Sequence, residues 1–428
     1  MERRIGRFCL GLLSAAAGLL AQSATPPTPH ALSWQETQAR FKANNPQLLA
    51  GQVTIDESRA DEITAYLRPN PDFGFAIDGT QIAPSQGMWR PFSGTFYSPS
   101  LSYLHERRHK RELRLSSAQQ ATAIAVSTQG DLERNLLFNL RDAFVRVLQA
   151  KAILGVARTN LDYYDKEIEI NRQRYSVGAM ARVDFQRVEL QRVQFETDLE
   201  TAGVNLRTAK IDMLALLRDS TPLDQFDVSE TFEYTEPVSK PEELRQIALQ
   251  TRPDLKEAEQ SLEKSRTDYR LAVANGSTDP TFSGWYTHNG SYNNPFATNT
   301  IGASVSIPLR IFDRNQGDKL HTRLDIGRNQ KLLDEAQITA LHDVDSAYAT
   351  LESTVNLLRP YKTKYLKEAE EIRDTVSYSY QHGAASLIDF LDAQKQYRDT
   401  QLNYISLVGA YFSAVNQVNF AVGREVIR

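Results

Sequence analysis

One pattern in this chain could do chemistry on its own spacing: His105-Glu106-Arg107-Arg108-His109. On a helix, two histidines one turn apart share a face and can hold zinc, with the glutamate as general base of a peptidase. Two features oppose that reading. Arg107, Arg108, Lys110 and Arg111 need solvation, whereas a zinc-peptidase helix is buried, and Glu112 and Leu115 stand where the longer form of the motif wants glycine and histidine. The alternative is a charged helix start below a strand, its basic run a collar facing solvent or lipid headgroups. That run lacks the aromatic interleaving of a nucleic-acid site.

Other chemistry is excluded by motif. The sequence has no G-x-x-x-x-G-K-[ST], G-x-G-x-x-G, C-x-x-C or G-x-S-x-G. Its single cysteine is Cys9 and its methionines number 4 including the initiator, so a soft-metal relay is not supported. No catalytic residue, resident metal or cofactor is expected, and energy for any transport must come from a partner. With Lys+Arg 49 against Asp+Glu 53, the chain has no global pull toward nucleic acid.

Two turn sequences stand out instead. Tyr175-Ser-Val177-Gly178-Ala179, followed by Asp184 and Phe185, recurs as Tyr380-Gln-His382-Gly383-Ala384, followed by Asp389 and Phe390, at a constant offset of 205. Glycine supplies the positive φ that ends a helix before reversal. Asp184, Asp389 and Asp392 follow the turns, where a carboxylate caps or complements the N-terminus of the returning helix. Upstream, Asn45-Pro46-Gln47-Leu48 matches Arg252-Pro253-Asp254-Leu255 at an offset of 207. Two landmarks in one order at nearly one offset indicate a duplicated unit.

The elements that carry these turns read alike in each half. A helix follows Pro46 or Pro253. Next comes a hairpin of period-two segments about ten residues long, the length a tilted strand needs to cross a bilayer. The first, about 72–104, has Phe73, Phe75 and Ile77, then Tyr97, Leu101 and Tyr103; the second, about 280–309, has Ile301, Ala303, Val305, Ile307 and Leu309. A long helical pattern then runs to the glycine turn and returns. From Arg107 to Tyr175 it would reach on the order of 100 Å. The returning limb has a heptad seam, Phe195, Leu199, Ala202, Leu206, Ala209, Met213 and Leu216, matched by Leu402, Ile405, Val408, Phe412 and Val415.

The resulting division is a signal peptide over 1–23, a first unit over 24–218, a linker over 219–241 and a second unit over 242–428. Arg3, Arg4 and Arg7 before the apolar run Phe8 to Leu20 make the signal, and Cys9 inside it leaves the mature chain without lipid anchor or disulfide. Thr400 to Gly423 carries no charge, but its Gln and Asn residues mark a packed helix rather than a membrane span. Four strands cannot close a barrel, and open edges are not tolerated in lipid. Three copies supplying twelve strands, with helices continuing below as a coiled-coil tube, are the economical closure. A soluble periplasmic coiled-coil scaffold would leave the hairpins without purpose.

The duplicated helix, hairpin and long-helix order, with its paired tyrosine-glycine-aspartate turns, resembles the TolC family of bacterial outer-membrane efflux ducts over essentially the whole mature chain. Ile307-Pro308-Leu309-Arg310-Ile311-Phe312-Asp313-Arg314-Asn315-Gln316-Gly317 resembles the junction motif of the branch that serves heavy-metal pumps of the resistance-nodulation-division class, with Arg310 where that branch usually has proline. The resemblance implies a mainly α protein with a β-barrel part, a homotrimer lodged in outer-membrane lipid with a periplasmic helical extension. It implies passive conduction for an inner-membrane pump reached through a periplasmic adaptor; multidrug efflux and type I secretion are the alternatives on the same fold. It places Tyr175, Val177, Gly178, Ala179, His382, Gly383 and Ala384 at a tip that docks adaptor or pump. Asp389 and Asp392 match a pore constriction, and Asp184 and Tyr380 match an inter-helix hydrogen-bond lock. The arginine usual near the second turn is replaced by Ala385 and Ser386.

Overall fold

The computed structural model describes residues 30–236, 240–290 and 298–427; the expected signal peptide and most of the Asn289–Pro295 loop lie outside them. The first half contains β1 (His30–Leu32), α1 (Trp34–Asn44), α2 (Pro46–Tyr66), β2 (Asp72–Asp78), β3 (Phe96–Leu104), α3 (Lys110–Ser176) and α4 (Arg182–Leu217). After β4 (Phe226–Val228), the second half repeats that order as α5 (Pro241–Thr251), α6 (Pro253–Asn275), β5 (Thr281–Asn289), β6 (Asn299–Ser306), α7 (Gln316–Pro360), α8 (Leu366–Gln381) and α9 (Leu387–Val422). Local chemistry sets many of these boundaries. The Asn45 carboxamide oxygen accepts from Gln47 N and Leu48 N ahead of Pro46, and Ser33–Glu36 and Ser386–Asp389 form reciprocal capping boxes.

The four long strands make one antiparallel sheet in the order β2-β3-β5-β6. Its two faces differ sharply. Phe73, Phe75 and Ile77 face in register with Leu101, Pro99 and Tyr97, and this surface continues through Phe282 and Tyr286 to Val305 and Ile301. The other surface carries Ser98, Ser100, Ser102, Ser283, Thr287 and Ser304. Trp285 is the exception there: its indole lies across Gly302, where a Cβ would fall 2.3 Å from the ring. Strands of seven to nine residues are slightly shorter than expected.

Below the sheet, α3 runs unbroken for 67 residues, about 100 Å. It packs against α2 and α6 near the strands and against α4 and α9 farther down, while α7 packs on α6 and then on α9. Along the apolar seam of α4, Phe195, Ala202 and Met213 are buried and Leu199, Leu206 and Ala209 half-buried, and at the end Leu217 at 1% exposure replaces Leu216 at 37%. In α9 the uncharged stretch is a packed helix, with Val408, Phe412, Val415 and Val418 in a core shared with α5 and α7.

Four features depart from the sequence reading. The helix expected from Arg107 begins at Lys110, because Arg108 and His109 sit at φ 62° and 55°, outside helical geometry. The second outgoing limb is interrupted after Pro360 by a π-helical turn, Tyr361–Tyr365, since proline removes a helical donor. The linker is not merely a loop: β4 pairs in parallel with β1, Leu32 opposite Val228, over a core of Phe41, Leu140, Phe144 and Met213. The basic run is not a uniform collar either. Lys110 is 4% exposed and its Nζ lies 2.5 Å from Asp279 Oδ2. Arg107 donates to the Thr278 carbonyl, and Arg114 grips Glu106.

Candidate functional site: the helical tip and the duct above it

The zinc reading fails on geometry. Residues 105–109 do not form a helix, so His105 and His109 do not share a helical face. The His105 ring lies edge-on to Phe282, His109 is exposed, and Glu106 is held bidentately by Arg114 at 2.5 and 2.8 Å.

At the far end of the helices the two turns are built alike. Gly178 and Gly383 both have φ +77° with nothing within 4 Å of an added Cβ, so each glycine serves backbone conformation alone. Ala179 N donates to Arg174 O and Ala384 N to Ser379 O, both at 2.8 Å, the long-range bond of a Schellman-type helix end. Tyr175 stacks on Phe185 at 5.2 Å and Tyr380 on Phe390 at 4.8 Å, the same pair 205 residues apart. Val177, Gly178, Ala179, His382, Gly383 and Ala384 are exposed at this end, Val177 by 78%. The His382 ring rests on Tyr378 at 4.1 Å.

The repeats differ in how deeply their tyrosines lie. Tyr175 is 39% exposed, whereas Tyr380 is 6% exposed within a core of Tyr164, Ile168, Val188 and Phe195. Burial pushes the Tyr380 phenol above its ordinary value, against the Arg174 guanidinium, and the Asp184 charge reinforces the rise. Asp184 and Tyr380 are thus neighbours electrostatically, but no hydrogen bond joins them among the described residues; the basic partner of Asp184 is Arg187 at 3.7 Å. Tyr380 is engaged instead by Arg174, which donates to its carbonyl at 3.2 Å and stacks over its ring at 4.8 Å. Arg174 was not singled out in the sequence. Comparing the repeats would have found it, since Ser379 stands at the equivalent place.

Asp389 and Asp392 are both exposed on α9, three residues apart and so on one face. Asp389 accepts from Ser386 Oγ at 2.7 Å and Ser386 N at 3.2 Å, and the hydroxyl bond holds its carboxyl below the usual range. Asp392 accepts from Gln396 at 2.7 Å. A turn or more above, Glu167 is buried and accepts from Ser377 and Gln381, and Arg373 is sandwiched between Tyr163 and Tyr397 at 4.5 and 4.0 Å. These polar contacts tie α8 to α3 and α9.

A sheet with one aromatic and one hydroxyl-rich face, open at β2 and β6 and set on long helices of which α3 alone reaches about 100 Å, defines a class: one protomer of a membrane barrel with a tubular extension. The profile described as Outer membrane efflux protein matches residues 39–217 and again 244–424. The chain belongs to that family of outer-membrane efflux channels, which are transport ducts. It is 21% identical to the cobalt-zinc-cadmium resistance protein CzcC of Cupriavidus metallidurans over 390 residues, 89% of this chain and 87% of that protein. It is 23% identical to the outer membrane protein TolC of Vibrio cholerae, covering 96% of this chain and 94% of that one. Among solved structures, CusC superposes with TM-score 0.74 at 17% identity over 95% of this chain and 96% of its own. VceC of Vibrio cholerae does so with TM-score 0.72 at 15% identity over 91% and 96%. The fold is therefore that of the trimeric channels, twelve strands in the outer membrane continued by a periplasmic helical barrel. This excludes a soluble scaffold.

Proposed function

We propose that this channel is the exit duct of a tripartite heavy-metal efflux system, receiving cations from a resistance-nodulation-division pump through a periplasmic adaptor. The likeness to CzcC along 87% of that protein's length carries the cargo assignment, and the junction sequence 307–317 supports it. The exposed turn residues Tyr175, Val177, Gly178, Ala179, His382, Gly383 and Ala384 form the docking tip in this reading, presenting backbone and small side chains that a helical adaptor can approach closely. Asp389 and Asp392 from three protomers line the constriction, where a ring of carboxylates attracts cations. Tyr380, Asp184 and Arg174 hold the inner helix pair in register. The likeness to the pyoverdine export outer membrane protein OpmQ of Pseudomonas aeruginosa, 22% identical over 67% of this chain and 60% of that one, favours a second reading, organic-compound export on the same fold.

Growth of a channel-deleted strain on graded zinc, cobalt and cadmium, with and without this gene, tests the cargo. Restored metal tolerance with unchanged sensitivity to detergents and dyes is expected. Restored detergent and dye resistance alone would assign the channel to organic cargo.

A further inference from the structure

Strand β6 carries its aromatic-face stripe past the end of its ladder. The last rung pairs Ser306 with Thr281, and Ile301, Ala303 and Val305 belong to the outward apolar face. Ile307 and Leu309 take the next two odd positions, 53% and 80% exposed, and Ile311 and Phe312 follow at 61% and 89%. Pro308 has no N–H to extend the ladder. Four large apolar side chains within six residues are not an ordinary aqueous surface.

The height of the barrel says what covers them. The longest strands have nine residues, which at a tilt of about 40° rise about 20 Å. The apolar band of an outer-membrane barrel is about 25 Å tall. Carrying the stripe on to Leu309 supplies roughly the missing 5 to 10 Å at the periplasmic edge.

Charge points the same way. In the first junction Lys110 and Arg114 pair with Asp279 and Glu106 and Arg107 donates to Thr278, while Arg108 is exposed with no ion-pair partner among the described residues. Arg310 and Arg314 of the second have no carboxylate partner among the described residues: Arg310 Nε is buried without a hydrogen-bond partner, and Arg314 Nε reaches only the Arg310 carbonyl at 3.3 Å. Two guanidinium groups without a carboxylate beside an apolar wedge suit anionic headgroups above acyl chains.

We infer that the β6–α7 junction is a lipid foot: Leu309, Ile311 and Phe312 enter the periplasmic leaflet of the outer membrane while Arg310 and Arg314 bind phospholipid phosphates. Each trimer then stands on three such feet. They hold the barrel at fixed depth.

The mature chain has no cysteine, so a bimane reporter can be placed singly at Leu309→Cys, Phe312→Cys and, on the hydroxyl-rich face, Ser304→Cys. Each full-length trimer is reconstituted in vesicles of phosphatidylcholine with a minority of phosphatidylglycerol, with a nitroxide near the headgroup of either lipid. Quenching at 309 and 312 should exceed that at 304 by at least about twofold. The excess from nitroxide-labelled phosphatidylglycerol over phosphatidylcholine at 312 should fall to parity with Arg310→Gln and Arg314→Gln. Unheated gel mobility confirms that each variant is trimeric, and if Leu309→Cys does not assemble, Phe312→Cys carries the test. Equal quenching at all three sites overturns the foot. Conductance of the same vesicles separates a failed foot from a failed channel.

Discussion

Replacing Asp279 by alanine isolates the joint between barrel and helices. The substitution removes the carboxylate 2.5 Å from Lys110 Nζ, whose side chain is 5% exposed, and leaves that ammonium only the Ser277 carbonyl at 3.0 Å. An uncompensated buried charge costs about 3–5 kcal/mol, in each of three subunits. The opposite change, Lys110→Met, is milder, about 1–3 kcal/mol, because Asp279 is 14% exposed and keeps the Arg107 N–H at 2.9 Å. The double variant should recover much of the loss. Burial raises the Asp279 carboxyl, but Lys110 and the Arg107 N–H outweigh it and hold the group below its ordinary 3.8. A lowered folded-state pKa means that this stabilisation is complete above 3.8 and is lost as pH falls through the lowered value. Urea midpoints of trimer dissociation in detergent, measured from neutral pH to about pH 3, give the two single costs, the recovery in the double variant and the acid loss. If Asp279→Ala is as mild as Lys110→Met, or if the acid loss persists in Asp279→Ala, the joint is not held by this pair.

Gly178→Ala and Gly383→Ala should each cost about 1–2 kcal/mol, and equally, because both distort only a left-handed backbone; hydrogen exchange at the two turns reads the cost. Arg174→Ala should speed exchange at the Tyr380 turn and leave the Tyr175 turn, which has no equivalent stacking arginine among the described residues, nearly unchanged. Replacing Asp389 and Asp392 together by asparagine removes six charges per trimer in the proposed ring, and the reversal potential in a salt gradient should shift toward weaker cation preference. An unchanged potential would show that these carboxylates face away from the pore and that Asp389 acts only through its capping box.

The duplication, both hairpins, the glycine turns and the α4 seam were legible because each has a short-range signature: a repeated motif, an alternation or a heptad. The unanticipated features depend on distant partners. The pairing of β1 with β4 joins three-residue strands across nearly the whole first half, leaving no local pattern to read. Arg107 and Lys110 look like surface charge until Thr278 and Asp279 are brought beside them from the other repeat. Pro360 was visible, but a proline alone does not say whether a helix ends, bends or absorbs it in a π-turn. At the tip, the sequence located Tyr380 and Asp184, yet the stacking partner is Arg174, contributed by the first repeat to the second.

The central claim is that three copies of this chain close one barrel through the free edges of β2 and β6. The protein mass of the detergent-extracted particle, measured by light scattering with the detergent subtracted, tests it directly. Three chains per particle, recovered only from the outer-membrane fraction, is the expected result; a single chain released into the periplasm without detergent would contradict it.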